Sequence, residues 1–294
     1  YFFKTLNKFF HILNSNSLKG SQKNIAAHYD LGNQFYELWL DKSMTYSSAY
    51  FGKGNLSLKE AQENKYKKIS QMVDLKKQNN VLEIGCGWGG FAEYASKNYN
   101  SLLTAITISK EQYEFSKKRI DKNGLSNSVN IKLVDYRKIR GSFDRIVSIE
   151  MIEAVGEKYW PVYFSQIKNL LKPNGKAAIQ VITIDDRYFD GYKKFPDFIQ
   201  KYIFPGGMLP SMQILKKPIL QSGLKIDKID SFGKDYASTL SIWKKQFNRA
   251  WPKISKLGFD DKFYRMWNLY LSYCEGGFKS GSIDVKQIKL LPLD

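Results

Sequence analysis

Cysteine and histidine are nearly absent from this chain, with Cys 2 and His 2 in 294 residues. So few ligating side chains exclude a disulfide framework and a Cys/His zinc centre, and no metal site is expected. Sparse cysteine also fits a reducing cytoplasm. Long apolar runs are missing as well. No stretch approaches the roughly 20 residues that a membrane-spanning helix needs, so the chain is expected to be soluble or to lie against a membrane surface. It starts at Tyr1 without a basic, apolar and small-residue leader pattern, and it reads as a piece of a longer protein. Acidic residues are outnumbered: Lys+Arg 46 stand against Asp+Glu 28, for a net charge of +18. A field of that size attracts nucleic acid or acidic phospholipid, without choosing between them.

What is present is ordinary globular material with an excess of rings. Hydrophobic residues at 43% and charged residues at 25% exclude disorder as the dominant state. The length allows one large domain or two ordinary ones. Aromatic residues at 15% suit core packing, base-stacking platforms or walls that face a cation. Over residues 1–20, Phe2, Leu6, Phe9, Phe10 and Leu13 recur at helical spacing with Lys4 and Lys8 among them. That pattern predicts a helix that docks on a core or lies in a membrane interface. Residues 56–78 read as a basic helix, with Lys59, Lys65, Lys67, Lys68, Lys76 and Lys77 on a solvated face.

From residue 80 onward, strand and helix alternate. Apolar strand patterns at 80–85, 102–109, 129–135, 143–150 and 175–184 are separated by helical ones at 91–98, 110–122 and Lys158–Leu171. Such alternation predicts a doubly wound parallel sheet. Residues 185–223 interrupt it with Pro196, Pro205, Gly206, Gly207, Pro210 and Pro218. They are too long for a simple connection and predict an inserted cap. Strand, helix and strand patterns resume at 224–231, 235–250 and 283–291, and no internal repeat is visible.

Gly85, Gly87 and Gly89 in VLEIGCGWGG (81–90) follow the first strand and precede a helix. There, glycines let the backbone turn sharply and approach a ligand. Alone the pattern is weak. Its spacing departs from the dinucleotide fingerprint, and Thr107, Ile108 and Ser109, followed by Gln112, stand where a ribose-binding acid would end the second strand. Glu150 and Glu153 straddle the end of the fourth strand. Acids at the carboxyl ends of parallel strands point into the ligand crevice, although on the residues alone a solvated helix start is the favoured explanation of either glutamate.

LEIGCGWGG together with AITISKEQ resembles the class I S-adenosylmethionine methyltransferases. AAHYDLGNQFYELWLDKSMTYSSAYF (26–51), FDRIVSIEMIEAVGEKYW (143–160), FPGGMLPS (204–211), DYASTLSIW (235–243) and YCEGGF (273–278) narrow the resemblance to the cyclopropane fatty acid synthase family, over roughly residues 20–290. The resemblance implies a Rossmann-like α/β fold, with a doubly wound, mostly parallel seven-stranded sheet. The implied organisation is a helical N-terminal segment over the cofactor site (1–78), an S-adenosylmethionine-binding core (79–184), an inserted lipid-binding cap (185–223) and a C-terminal completion of the sheet (224–294).

Position by position, the resemblance implies that Tyr29, Tyr46 and Ser47 lie over the methionine part of S-adenosylmethionine. Gly85, Cys86, Gly87 and Gly89 hold its centre, Thr107, Ile108, Ser109 and Gln112 take the ribose, and Tyr136 and Arg137 flank the adenine. The implied chemistry transfers the cofactor's methyl to an isolated alkene and leaves a carbocation, which must lose a proton before water reaches it. The implied base is a bound bicarbonate ion held by Ser48, Glu153, Gln180, Ile182 and Tyr236. Ser48 stands where many members have cysteine, and Gln180 where the best-known members have histidine. Ala154 replaces a further histidine. An amide can donate a hydrogen bond to an anion but cannot carry imidazolium charge, so a methyl- or methylene-branched lipid is an alternative product to the cyclopropane.

The expected partner is an unsaturated phospholipid acyl chain at an anionic membrane surface, with the enzyme cytoplasmic and peripheral to the inner face; a homodimer is allowed. Nucleic acid is not expected, because the chain lacks an Asn/Asp-Pro-Pro-aromatic motif after the fourth strand and a Pro-Cys nucleophile. A small amine as substrate would leave the charge unexplained, and a non-catalytic lipid-binding module would leave the intact glycine loop unexplained.

Overall fold

The computed structural model describes Gly20 and residues 31–293. The helix expected over 1–20 and the cofactor contact expected of Tyr29 lie outside the described residues.

A short helix, α1 (Asn33–Glu37), leads to α2 (Leu58–Met72). The latter begins at a capping box, in which Ser57 and Glu60 satisfy each other's backbone N–H groups. It ends six residues short of the expected basic helix, and one of its lysines corrects the expectation of a solvated face. Lys65 is fully buried, because it sits on the inward stripe with Ala61, Ile69 and Met72.

The alternating region then runs β1 (Asn80–Ile84), α3 (Gly90–Tyr99), β2 (Leu102–Thr107), α4 (Lys110–Lys122), β3 (Val129–Leu133), β4 (Phe143–Ile149), α5 (Trp160–Leu170) and β5 (Leu171–Ile184). The remainder comprises α6 (Asp186–Lys194), a π-helical turn (Ile199–Ile203), α7 (Met212–Gln221), β6 (Leu224–Ser231), α8 (Gly233–Ile254), α9 (Asp261–Ser280) and β7 (Ile283–Pro292). The sheet order is β3-β2-β1-β4-β5-β7-β6. Strands β1 to β5 are parallel, and β7 runs antiparallel between β5 and β6. This is the doubly wound, mostly parallel, seven-stranded α/β sheet that the resemblance implies. Its winding reverses between β1 and β4, and the carboxyl ends of those two strands open the crevice in which such sheets bind ligands.

The aromatic excess is mostly core. Phe35, Tyr36, Trp39, Trp243, Phe247 and Trp267 are buried together where α1, α8 and α9 meet. Within 185–223, Leu215 and Ile219 of α7 join the core behind the sheet with Phe164 and Ile167 of α5. The preceding stretch crosses the mouth of the crevice. No helix among the described residues is long and apolar enough to cross a membrane.

Candidate active site

The glycine loop leaves the carboxyl end of β1. Gly85 has φ +80°, and a Cβ there would sit 2.7 Å from Met151 Cγ; both the conformation and the space require glycine. The Gly85 and Cys86 N–H groups donate to Ile106 O at 3.0 and 2.9 Å, which pins the loop to β2. Beside it opens a cavity of about 750 Å³ that extends from the loop to the mouth under the 185–211 segment.

At the loop end, Tyr46, Ser47, Gly85, Cys86, Gly87, Thr107, Ile108, Gln112, Tyr136 and Arg137 line the wall. Thr107 Oγ1 donates to Gln112 Oε1 at 2.9 Å. Arg137 pairs with Asp135 at 2.6 Å and covers the rings of Tyr136 and Tyr159. Two expected contacts stand off the wall. Ser109 caps α4 by accepting from Gln112 N–H, and Gly89 backs onto Ser116. Glu83 was not picked out from the sequence. It is buried in the apolar run of β1 and lines the cavity. Burial pushes its carboxyl up to about 8, and its Oε2 has no hydrogen-bond partner among the described residues. An acid inside the otherwise apolar NVLEI was the available signal.

Further in, the structure brings the expected anion-holding residues together, but around protein carboxylates. Ser48 N–H donates to Glu150 Oε1 at 2.9 Å, Gln180 Nε2 donates to the same oxygen at 2.8 Å, and the Tyr236 phenol donates to Oε2 at 2.8 Å. Ile182 N–H donates to Glu153 Oε1 at 2.6 Å. Glu150 and Glu153 both line the cavity, so neither is the solvated helix start that the residues alone also allowed. Glu150 holds φ +50°, a left-handed conformation that costs a side-chain-bearing residue roughly 1–2 kcal/mol. Its orientation is over-determined by three donors from three distant segments.

Charge decides how the two carboxyls differ. Burial pushes Glu153 up to about 8, and the charge of Glu150 adds to the rise, so Glu153 holds its proton at neutral pH. Its Oε2 has no hydrogen-bond partner among the described residues. Burial raises Glu150 too, against the opposing pull of Lys65 and the three donors. Lys65 Nζ donates to Ser47 Oγ at 2.6 Å, and burial lowers the ammonium to about 7. Paired carboxyls in one dry site cannot both ionise cheaply. Three donors and the charge of Lys65 favour the ionised form of Glu150, whereas Glu153 has one donor.

The amide of Gln180 is itself braced. Gln287 Nε2, from β7, donates to Gln180 Oε1 at 3.0 Å and to Lys65 O at 3.3 Å. That leaves the Gln180 NH₂ facing Glu150. Beyond the carboxyls the wall turns apolar and aromatic, with Ile182, Phe204, Met208, Tyr270 and Phe278. Tyr188 and Tyr273 stand half-exposed at the mouth.

Three comparisons show what the chain is similar to. The model of the mycolic acid cyclopropane synthetase family matches residues 16–288. Among curated proteins, the chain is 39% identical over 279 residues to the tuberculostearic acid methyltransferase UfaA1 of Mycobacterium tuberculosis. It is also 39% identical over 268 residues to the cyclopropane-fatty-acyl-phospholipid synthase of Escherichia coli K12. The matches cover 92% and 89% of this chain but 65% of each relative, so the chain spans just under two thirds of their length. Among solved structures, mycolic acid cyclopropane synthase CmaA1 complexed with SAH and CTAB superposes with a TM-score of 0.87 at 29% identity, covering 92% of this chain and 97% of that one.

Proposed function

The chain belongs to the mycolic acid cyclopropane synthetase family, and from that membership and its cavity we propose that it uses S-adenosylmethionine to alkylate the double bond of an unsaturated phospholipid acyl chain and close a cyclopropane ring. The carrying observation is one continuous cavity with a polar, glycine-walled end, two buried carboxyls at its middle and an apolar mouth. The mouth suits an acyl chain, and the polar end suits the cofactor. Glu83 offers an unpartnered carboxyl oxygen, Gly85 permits close approach, and Thr107 with Gln112 presents a hydroxyl and an amide in place of the usual acid. When bound there, S-adenosylmethionine supplies a methyl group on a sulfonium.

The protein's own part is to position, to exclude water and to tolerate charge. Aromatic faces attract a cation by their quadrupole, and Tyr236, stacked on Phe278 with centroids 4.4 Å apart, and Tyr270 line the cavity beside the carboxyls. The 185–211 part of the expected cap serves as the substrate cap and carries exposed Tyr188, Phe195 and Tyr202 near exposed Lys194 and Lys201. Rings and ammonium groups together suit an anionic lipid surface, where each well-placed cation contributes roughly 1 kcal/mol.

Bicarbonate does not fit the residues as they stand. Three of the donors assigned to it are bonded to Glu150 and the fourth to Glu153, so no step is drawn through that ion. A methyl-branched lipid is the second reading, favoured by Gln180, whose amide cannot carry the charge of an imidazolium, and by the likeness to a tuberculostearic acid methyltransferase.

The test is mass spectrometry of phospholipids from cells that express the chain, with cells that lack it alongside. A gain of one CH₂ that survives hydrogenation as a ring, and is absent without the chain, is the expected result. A methyl- or methylene-branched alkene of the same mass, which hydrogenation saturates, supports the second reading, and no mass gain with the cofactor still bound overturns both.

A further inference from the structure

We infer that the carboxylate of Glu150 is the base of this enzyme: it takes the proton that closes the ring, in the place where the family resemblance implies a diffusible bicarbonate. The inference rests on the proposed reaction and identifies a residue that acts in it.

The argument starts from the donors. A bicarbonate site needs hydrogen-bond donors that converge on a point with nothing between them. Here the Ser48 amide, the Gln180 amide and the Tyr236 phenol converge at 2.8–2.9 Å on two oxygens of one side chain. Those oxygens form a carboxylate, the same functional group that bicarbonate would present. The chain therefore carries its own anion on a tether.

Valence then selects an oxygen. Each carboxylate oxygen has two acceptor sites. Oε1 spends both, on Ser48 and Gln180. Oε2 takes one hydrogen bond, from Tyr236, which leaves its second acceptor site open on a residue that lines the cavity. Glu153 is the weaker candidate, because a single donor, Ile182 N–H, supports its ionised form where three support that of Glu150, and burial with the charge of Glu150 pushes it up to about 8. Lys65 lies on the far side of Ser47. The backbone agrees with this assignment: a glutamate is held at φ +50°, where glycine would rest without strain, and that strain persists only because three donors fix its carboxylate.

The step balances as follows. The alkene's π pair forms a bond from one alkene carbon to the methyl carbon, whose bond to sulfur breaks with the pair left on sulfur. Positive charge is then on the other alkene carbon. Glu150 Oε2 removes one hydrogen of the transferred methyl as a proton, and the pair of that C–H bond forms the third side of the ring. The proton stays on Glu150 until product leaves and water enters the cavity. No oxidant, reductant or added base is consumed.

The test compares the full chain with Glu150→Gln and Glu150→Ala, on vesicles of monounsaturated anionic phospholipid in buffer stripped of carbon dioxide. Thermal melts and binding of S-adenosylhomocysteine report whether each variant is folded. The expected result has three parts. Wild type forms ring product at the same rate with and without added bicarbonate. Glu150→Gln loses on the order of 100-fold or more in ring formation while it still binds S-adenosylhomocysteine. Glu150→Ala recovers activity with added formate or bicarbonate and binds ¹³C-labelled bicarbonate by NMR, which wild type does not. A wild-type rate that falls when bicarbonate is stripped overturns the inference, as does a Glu150→Gln variant with undiminished ring formation. If wild type makes no lipid product at all, the proposed reaction fails and takes this assignment with it.

Discussion

The Tyr236 phenol donates a 2.8 Å hydrogen bond to Glu150 Oε2, an oxygen that has no other donor among the described residues. Tyr236→Phe keeps the ring on Phe278 and removes only that bond. A hydrogen bond to a charged group contributes about 1.5–3 kcal/mol, so turnover is expected to fall about 10- to 100-fold with little change in melting. Loss of the donor raises the Glu150 carboxyl further, so the acid limb of the pH–rate profile moves to higher pH. An unchanged rate and limb would show that the bond has no part in turnover.

Stability should vary with pH in a way that identifies the buried acids. Glu153 and Glu83 are each held at about 8, against an ordinary value of 4.5. Between those pH values the unfolded chain has lost protons that the folded one keeps, so stability falls as pH rises through that window. Lys65 acts in the opposite sense, from about 7 to 10.5, and adds stability only as pH rises above 7. Melts at pH 5 and pH 7 therefore isolate the acids. Glu153→Gln is expected to lose less melting temperature than wild type across that step, and parallel losses would contradict the assignment.

The loop at Gly85 makes a prediction about the cofactor. Gly85→Ala adds a Cβ at 2.7 Å from Met151 in a left-handed turn. Titration calorimetry should find S-adenosylhomocysteine bound at least tenfold more weakly, because the backbone must shift away from it. Gly124→Ala is the control: it has φ +67° with open space around it, remote from the cavity. That variant should lose stability by about 1 kcal/mol and leave binding alone. Equal effects of the two would mean that the loop does not touch the cofactor.

Membrane attachment should respond to both rings and salt. Phe195→Ser with Tyr202→Ser removes two exposed rings of the cap, and sedimentation with anionic vesicles is expected to show about tenfold weaker binding, since a buried large side chain contributes about 1.5–3 kcal/mol. Raising salt from about 50 to about 200 mM should weaken wild-type binding, because surface attraction is screened within a Debye length. Binding indifferent to salt would remove the charge of +18 from the explanation.

Periodicity exposed most of the sheet. The five parallel strands, the glycine loop and the break after Ile184 were legible because apolar runs of strand length alternate with helical spacing and punctuating glycine or proline. The helix α9 was not, since Gly276 and Gly277 near its end and its dense aromatics hide a 3.6-residue rhythm. The site was legible in its membership but not in its wiring. Ser48, Gln180, Ile182 and Tyr236 were named, yet which atom they hold depends on Glu150 turning inward through a left-handed φ. No local pattern announces that turn. Lys65 was misread for a similar reason: a lysine in a basic run looks solvated until its partner, Ser47, is brought to it by tertiary packing.

The brace from Gln287 to Gln180 spans 107 positions of chain, and the bonds from Ser48 and Tyr236 to Glu150 span 102 and 86. A site wired over such separations forms late, because long loops must close before any of its contacts is gained. Strand β7, synthesised after the other described elements, slots between β5 and β6 and delivers Gln287. A chain emerging from the ribosome can thus have its glycine loop and β1 to β5 in place well before the amide that faces Glu150 is locked. Order of synthesis becomes order of assembly: cofactor cradle first, base last.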